Sequence, residues 1–124
     1  MLILARELAS NLATPAAIAD AEGMVVFFNE AAEVVVGEKF AEADSLTIEQ
    51  WTARFDPRTF DAEPLPIEER PAGIALRERR PAHMRYLATS LDGVEQTVSV
   101  TAIPLFAHTD EFVGVIAIFW RDED

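Results

Sequence analysis

Apolar residues recur along this chain in two periods, and the switch between them divides it into a helical part and a stranded part. Near the start, Leu4, Leu8 and Leu12 return at every fourth position with Ala5 and Ala9 beside them. That spacing predicts a helix over Leu2–Leu12 with one apolar side. Thr14–Pro15 ends it, because the residue before a proline avoids helical backbone. A short apolar strand then reaches a turn at Asp20–Gly23, and a second strand follows over Met24–Phe28. Asn29 opens a short helix, since its side-chain oxygen can accept the free N–H groups of a first turn. Glu30 sits at the positive end of that helix, and Gly37 suits a left-handed stop. Thr47–Ile48–Glu49–Gln50 has the spacing of a capping box and predicts a helix over Thr47–Phe55 that carries Trp51. Pro57, Pro64 and Pro66 punctuate the loop beyond it. A further helix begins around Ile67–Arg70 and runs to Arg79, which Pro71 tolerates only from the first turn. Glu68 and Glu69 lie at its start and Arg77, Arg79 and Arg80 at its end, matching the helix dipole. Ile67, Ile74 and Ala75 form its apolar face.

From Pro81 onward the period is two. Ala82–Ser90, Val94–Ile103 and Phe112–Trp120 read as strands, and Leu91–Asp92–Gly93 turns the first into the second as a hairpin. The middle strand sets Val94, Val98, Val100 and Ala102 on one face against Glu95, Thr97, Ser99 and Thr101 on the other. The last strand is apolar on both faces, so it belongs in the centre of a sheet covered on both sides. The sum is an α+β fold, a five-stranded antiparallel sheet with short helices packed on one face. Residues 1–14 form an amphipathic cap and dimerisation helix, and residues 15–124 form the domain proper.

Composition narrows the function. A chain of 124 residues, half of them hydrophobic, makes one packed domain. Its longest apolar run, Phe112–Trp120, falls short of the roughly 20 residues that cross a bilayer. The opening MLILARELASNL lacks the basic start and small-residue cleavage site of a signal peptide, so the expected setting is cytoplasmic. The net charge of −12 repels phosphate backbones and anionic lipid, which argues against nucleic-acid and membrane partners. There are no cysteines, which excludes disulfides, thiolate zinc sites, thiol catalysis and a cysteinyl adduct with flavin. His83 lies on the opposite parity to Met84 and Tyr86 and is expected on the outer surface of the sheet; His108 lies in a loop. No acid, base and nucleophile are grouped in a way that implies a reaction, so the chain reads as non-enzymatic and without a metal.

Three segments together resemble a PAS domain, the sensory module of bacterial signalling proteins: DAEGMVVFFNEAAEVVVG, PLPIEERPAGIALRERRP and DGVEQTVSVTAIPL…EFVGVIAIFWRD. The likeness runs from about Pro15 to Arg121. It implies a sensory and signal-transduction function, with ligand binding between the inner sheet face and the helices. Projected onto that face, a period of two nominates Met84, Tyr86, Ala88, Val98, Val100, Ala102, Phe112 and Ile116. Phe27, Val35 and Ile74 would close the cavity from the other side. An ordinary packed core accounts for the same residues, which leaves a constitutive docking domain without a ligand as the alternative. Flavin-binding PAS domains carry amides at positions matching Ala88, Val98 and Ile116, and haem-binding ones a histidine on the long helix. Neither is present, so flavin and haem are disfavoured and a small apolar ligand is the expected one. The resemblance also implies a homodimer through Leu4, Leu8 and Leu12, with an effector domain or signalling protein as further partner. The Asp-Ile-Thr that often ends a PAS domain is replaced by Arg121–Asp122–Glu123, leaving the exit of the signal open.

Overall fold

The computed structural model describes residue 5 and residues 13–42, 45–108 and 110–122, with the backbone alone at residue 42. Leu4, Leu8 and Leu12 lie outside the described residues, and with them the expected dimer contact.

Two short strands come first, β1 (Ala16–Asp20) and β2 (Val25–Phe28). The turn between them is held by Asp20, whose Oδ1 accepts the backbone N–H groups of Glu22 and Met24, both at 3.0 Å. Gly23 supplies the positive φ of 87° that the turn needs. Asn29 then caps α1 (Glu30–Val36), with its Oδ1 2.9 Å from Ala32 N. The same oxygen takes Ala16 N at 3.0 Å, and the amide nitrogen donates to Thr14 O at 2.9 Å. One buried side chain thus caps a helix and ties it to the start of β1. Gly37 ends α1 in the left-handed region, as expected.

The capping box predicted from Thr47 and Gln50 is present in both directions and opens α2 (Ile48–Ala53). The segment expected as one helix from Ile67 is split. A 3-10 turn (Ile67–Glu69) precedes α3 (Pro71–Glu78), and Pro71 takes the first position, where its missing N–H costs nothing. Gly73 is where the two halves touch, because a Cβ there would stand 2.0 Å from the Ile67 carbonyl oxygen.

The remaining strands are β3 (Ala82–Thr89), β4 (Glu95–Phe106) and β5 (Phe112–Arg121). All five form one antiparallel sheet in the order β2-β1-β5-β4-β3. The doubly apolar β5 is therefore central, as its composition requires. The helices cover one face, with α3 lying over β3, β4 and β5. Val94 falls outside β4 and is 52 % exposed, so it does not belong to the inner face on which alternation placed it. The edge strand β3 is screened in part by the loop before α3, which pairs Arg58 with Leu87 through both backbone bonds.

Two bulges break the period of two. Between β1 and β2, Ile18 faces Phe27 but Ala19 faces Val25, so Val26 is the extra residue. Between β4 and β5, Leu105 faces Gly114 but Phe106 faces Phe112, so Val113 is the extra residue. A bulge inverts the faces of everything beyond it.

Candidate functional site

The register of the hairpin sets the inner wall. Tyr86 stands opposite Val98, Met84 opposite Val100, and Ala88 opposite Gln96, all on the face toward the helices. Beyond the second bulge, β5 presents Val115, Ala117 and Phe119 to the same side. The opposing wall comes from α1 (Val35, Val36), α2 (Ile48, Trp51, Thr52) and Ala72 at the start of α3. Trp51 centres an aromatic group, 5.2 Å from Phe55, 5.4 Å from Phe28 and 6.3 Å from Phe119 between ring centroids.

These walls do not close completely. They leave a partly open cavity of about 60 Å³. Thr52, Phe55, Arg70 and Gln96 are the half-buried lining residues and form the rim. The Arg70 guanidinium is held by Leu65 O at 2.8 Å and by Thr52 Oγ1 at 3.0 Å. Burial pulls its pKa below the usual arginine value, opposed by Tyr86, Glu49 and Glu68. Burial likewise pushes the Tyr86 phenol up to about 12, opposed by Arg70, so the phenol is neutral at physiological pH.

Five of the eleven residues nominated from the sequence line this cavity: Val35, Tyr86, Ala88, Val98 and Val100. Ala102 is buried in the same inner core and Met84 and Phe112 pack against it, but none of the three lines the cavity. Ile74 is half-buried and belongs to neither core cluster. Phe27 and Ile116 require correction. Both lie on the outer face, in a second cluster with Ala16, Ile18, Val26, Leu105, Ile118 and Ala5. Ile116 was counted from Phe112 across the bulge at Val113, and Phe27 was set opposite the inner face although the residue of β2 that turns inward beside it is Phe28; on β5 the inward positions are Val115, Ala117 and Phe119. Gln96 was missed because it is polar, although it shares the parity of Val98 and Val100. The helix carrying Trp51 was expected, but the place of Trp51 in the wall follows only from where α2 docks.

The outer face bears His83, as its parity predicted, with Nδ1 2.7 Å from Thr101 Oγ1. Among the described residues, no group of three or more histidine, aspartate or glutamate side chains could hold a metal ion. No helix among them is long and apolar enough to cross a membrane.

No protein-family model and no curated protein matches the sequence. Solved structures do match it. The chain is similar to the PAS domain of BvgS from Bordetella pertussis at 19% identity, covering 99% of this chain and 86% of that one, with a TM-score of 0.67. It is similar to a PAS domain from a two-component sensor histidine kinase at 12% identity, covering 98% and 96%, with a TM-score of 0.61. A light-oxygen-voltage domain studied with a flavin analogue matches at 14% identity, covering 99% and 85%, with a TM-score of 0.69. At such identities the likeness is one of fold, and the fold is that of a PAS domain.

Proposed function

We propose that this chain is a non-enzymatic PAS sensory module of a signalling protein, holding a small, mostly apolar molecule between its helices and its sheet. The cavity carries the reading: its walls are mostly apolar, with the Tyr86 phenol inside and Thr52, Arg70 and Gln96 at the rim, and it lies where α2 and α3 meet the sheet. A ligand shifts such a domain only if it binds two packings of helix against sheet with different affinity. The short helix α2, Ile48–Ala53, forms one wall through Ile48 and Trp51.

The chemistry of the cavity argues against the larger cofactors. A flavin or haem needs a pocket of about 300–1,000 Å³, well beyond the enclosed space here. The chain has no cysteine for a flavin adduct, and α3 has no histidine for haem iron. Dimerisation belongs to the same proposal: the sheet exposes Ile103 and Trp120, and Ala5 packs against the outer cluster. A cysteine-free, acidic chain fits the cytoplasm and an effector domain or signalling protein as partner rather than nucleic acid or a membrane surface. The small enclosed volume favours one competing reading, a constitutive docking domain without a ligand.

Native mass spectrometry tests both parts. The native species is expected at twice the chain mass, plus a small molecule that denaturation releases. A bare chain mass under both conditions would overturn the reading, and a bare dimer would select the docking domain.

A further inference from the structure

The edge strand β3 is covered along only part of its length. Leu87 donates its N–H to the Arg58 carbonyl oxygen and accepts the Arg58 N–H, both at 2.9 Å, and Thr89 donates to Phe55 O at 2.7 Å. These bonds run away from β4, so they fix which residues of β3 turn their backbone groups outward. Successive residues of an antiparallel strand point those groups to alternate sides. The pairing of β3 with β4 runs without a bulge from Ala82 to Thr89. His83 and Arg85 therefore aim their N–H and C=O groups at the same edge as Leu87 and Thr89. Among the described residues, neither has a backbone hydrogen-bond partner there, and both residues are exposed. The edge thus offers donors and acceptors at His83 and Arg85, already in strand register.

We propose that this edge docks an extended, acidic segment of a partner protein, which adds a sixth strand beside β3. The inference needs no ligand in the cavity. The occupant follows from charge. Positions 79–91 hold three arginines, one histidine and no acid, in a chain with 22 acids. Arg80 pairs with Glu78 and Arg85 with Asp122, yet their side chains stay 57 % and 53 % exposed. The Arg79 guanidinium lies over the Phe112 ring, 3.9 Å from its centroid. A second copy of β3 would set these cations against themselves, and like charges directly opposite destabilise a strand pair. Charges on an edge guard it against its own kind and leave it open to a strand of opposite sign. The far end of the open stretch is marked by Phe60, which is 57 % exposed with the Arg85 guanidinium 5.7 Å from its ring centroid. Asp61 follows Phe60 directly and Glu63 is close behind, so that end suits an apolar residue. The acids of the docked segment then lie toward Arg79 and Arg80.

The probe is a fluorescent, end-blocked peptide of alternating valine and glutamate, with its valine–lysine counterpart as control. Amide exchange read by nuclear magnetic resonance locates it. In the free chain the His83 and Arg85 amides are expected to exchange fast, and saturating glutamate peptide should slow both by about tenfold or more. His83→Pro removes one outward donor without touching a bond to β4, and is expected to weaken the peptide about fivefold to tenfold. His83→Ala keeps that donor and should keep most of the affinity. Arg80→Ala should weaken binding and flatten its dependence on salt. Unchanged exchange at His83 and Arg85 with the glutamate peptide would overturn the sixth strand. Equal slowing by the lysine peptide would overturn the acidic partner. Protection of these amides in the chain alone, growing with protein concentration, would give the edge to a second copy and overturn the proposal as well. None of these outcomes bears on the cavity, which native mass spectrometry tests separately.

Discussion

The two faces of the sheet share their strands and differ in how they are filled. Toward the helices, Trp51 meets Phe119 edge to face and Phe28 at a tilt, and the wall beside them stays open enough to leave a cavity. On the opposite side, Ala16 and Ile18 have 0 % exposure and pack with Ile116 among small and branched side chains. The outer cluster is thus shut off from solvent as an ordinary core is. The inner face gives up some of that packing around Trp51, where the cavity lies. Large rings on short helices cannot meet a twisted sheet everywhere, whereas alanines and isoleucines on adjacent strands can.

The hardest blow to this contrast is a charge placed on either side of one strand. Val98 lies inward, opposite Tyr86, whereas Thr97 lies on the other parity and is half-buried. Val98→Asp buries a carboxylate without a partner and is expected to cost several kcal/mol, enough to unfold a domain of this size. Thr97→Asp keeps its carboxylate near water and should cost far less. Chemical denaturation of both variants checks the register. Equal losses would mean that the two faces are not the ones described.

Alkaline pH tests the inner face by itself. A tyrosine in the unfolded chain ionises near 10, whereas burial raises the folded Tyr86 to about 12. Between those values the unfolded state has lost a proton that the folded state keeps. Stability is therefore complete below about pH 10 and is lost as the pH rises toward 12, by up to about 3 kcal/mol from this group. Tyr86→Phe should flatten that alkaline limb in urea titrations at pH 9 to 11.5, roughly the window in which the phenol titrates. An unchanged limb would place the phenol in water rather than under α2 and α3.

Most of the fold was legible in the sequence because its signals are local. Asn29, Gly37, Thr47 with Gln50, and Asp92–Gly93 each act within a few residues, and the alternation in β3 and β4 reports burial directly. Ile116 was misplaced because a period of two cannot be counted across Val113, and nothing about a valine announces a bulge. Phe27 was misplaced because β2 is apolar at every position, so its pattern does not say which side faces the helices. The cavity was half legible. Val35, Tyr86, Ala88, Val98 and Val100 follow from pattern, but Trp51, Arg70 and Phe119 depend on how helices dock and where a bulge falls. Gln96 carried the right parity in the wrong chemistry. A polar residue at an inward position is the signal that could have marked the cavity.

The finest test adds the same carbons to each face. Ala88 lines the cavity, and Ala16 sits at 0 % exposure in the outer cluster opposite Ile118. Ala16→Val has no free space to enter and must displace neighbours, at about 1–3 kcal/mol for overpacking of a tight core. Ala88→Val extends toward about 60 Å³ of existing space, so its added methyl groups gain contacts instead of forcing others apart. Its stability is expected to stay within about 0.5 kcal/mol of the parent or to rise. The same substitution should weaken any small molecule that enters the cavity, whereas Ala16→Val should leave its affinity alone. Thermal unfolding of the two variants, with and without a small apolar probe, measures both effects together. If Ala88→Val loses as much stability as Ala16→Val, the space beside Ala88 is already filled in solution and the inner face is as tightly packed as the outer one.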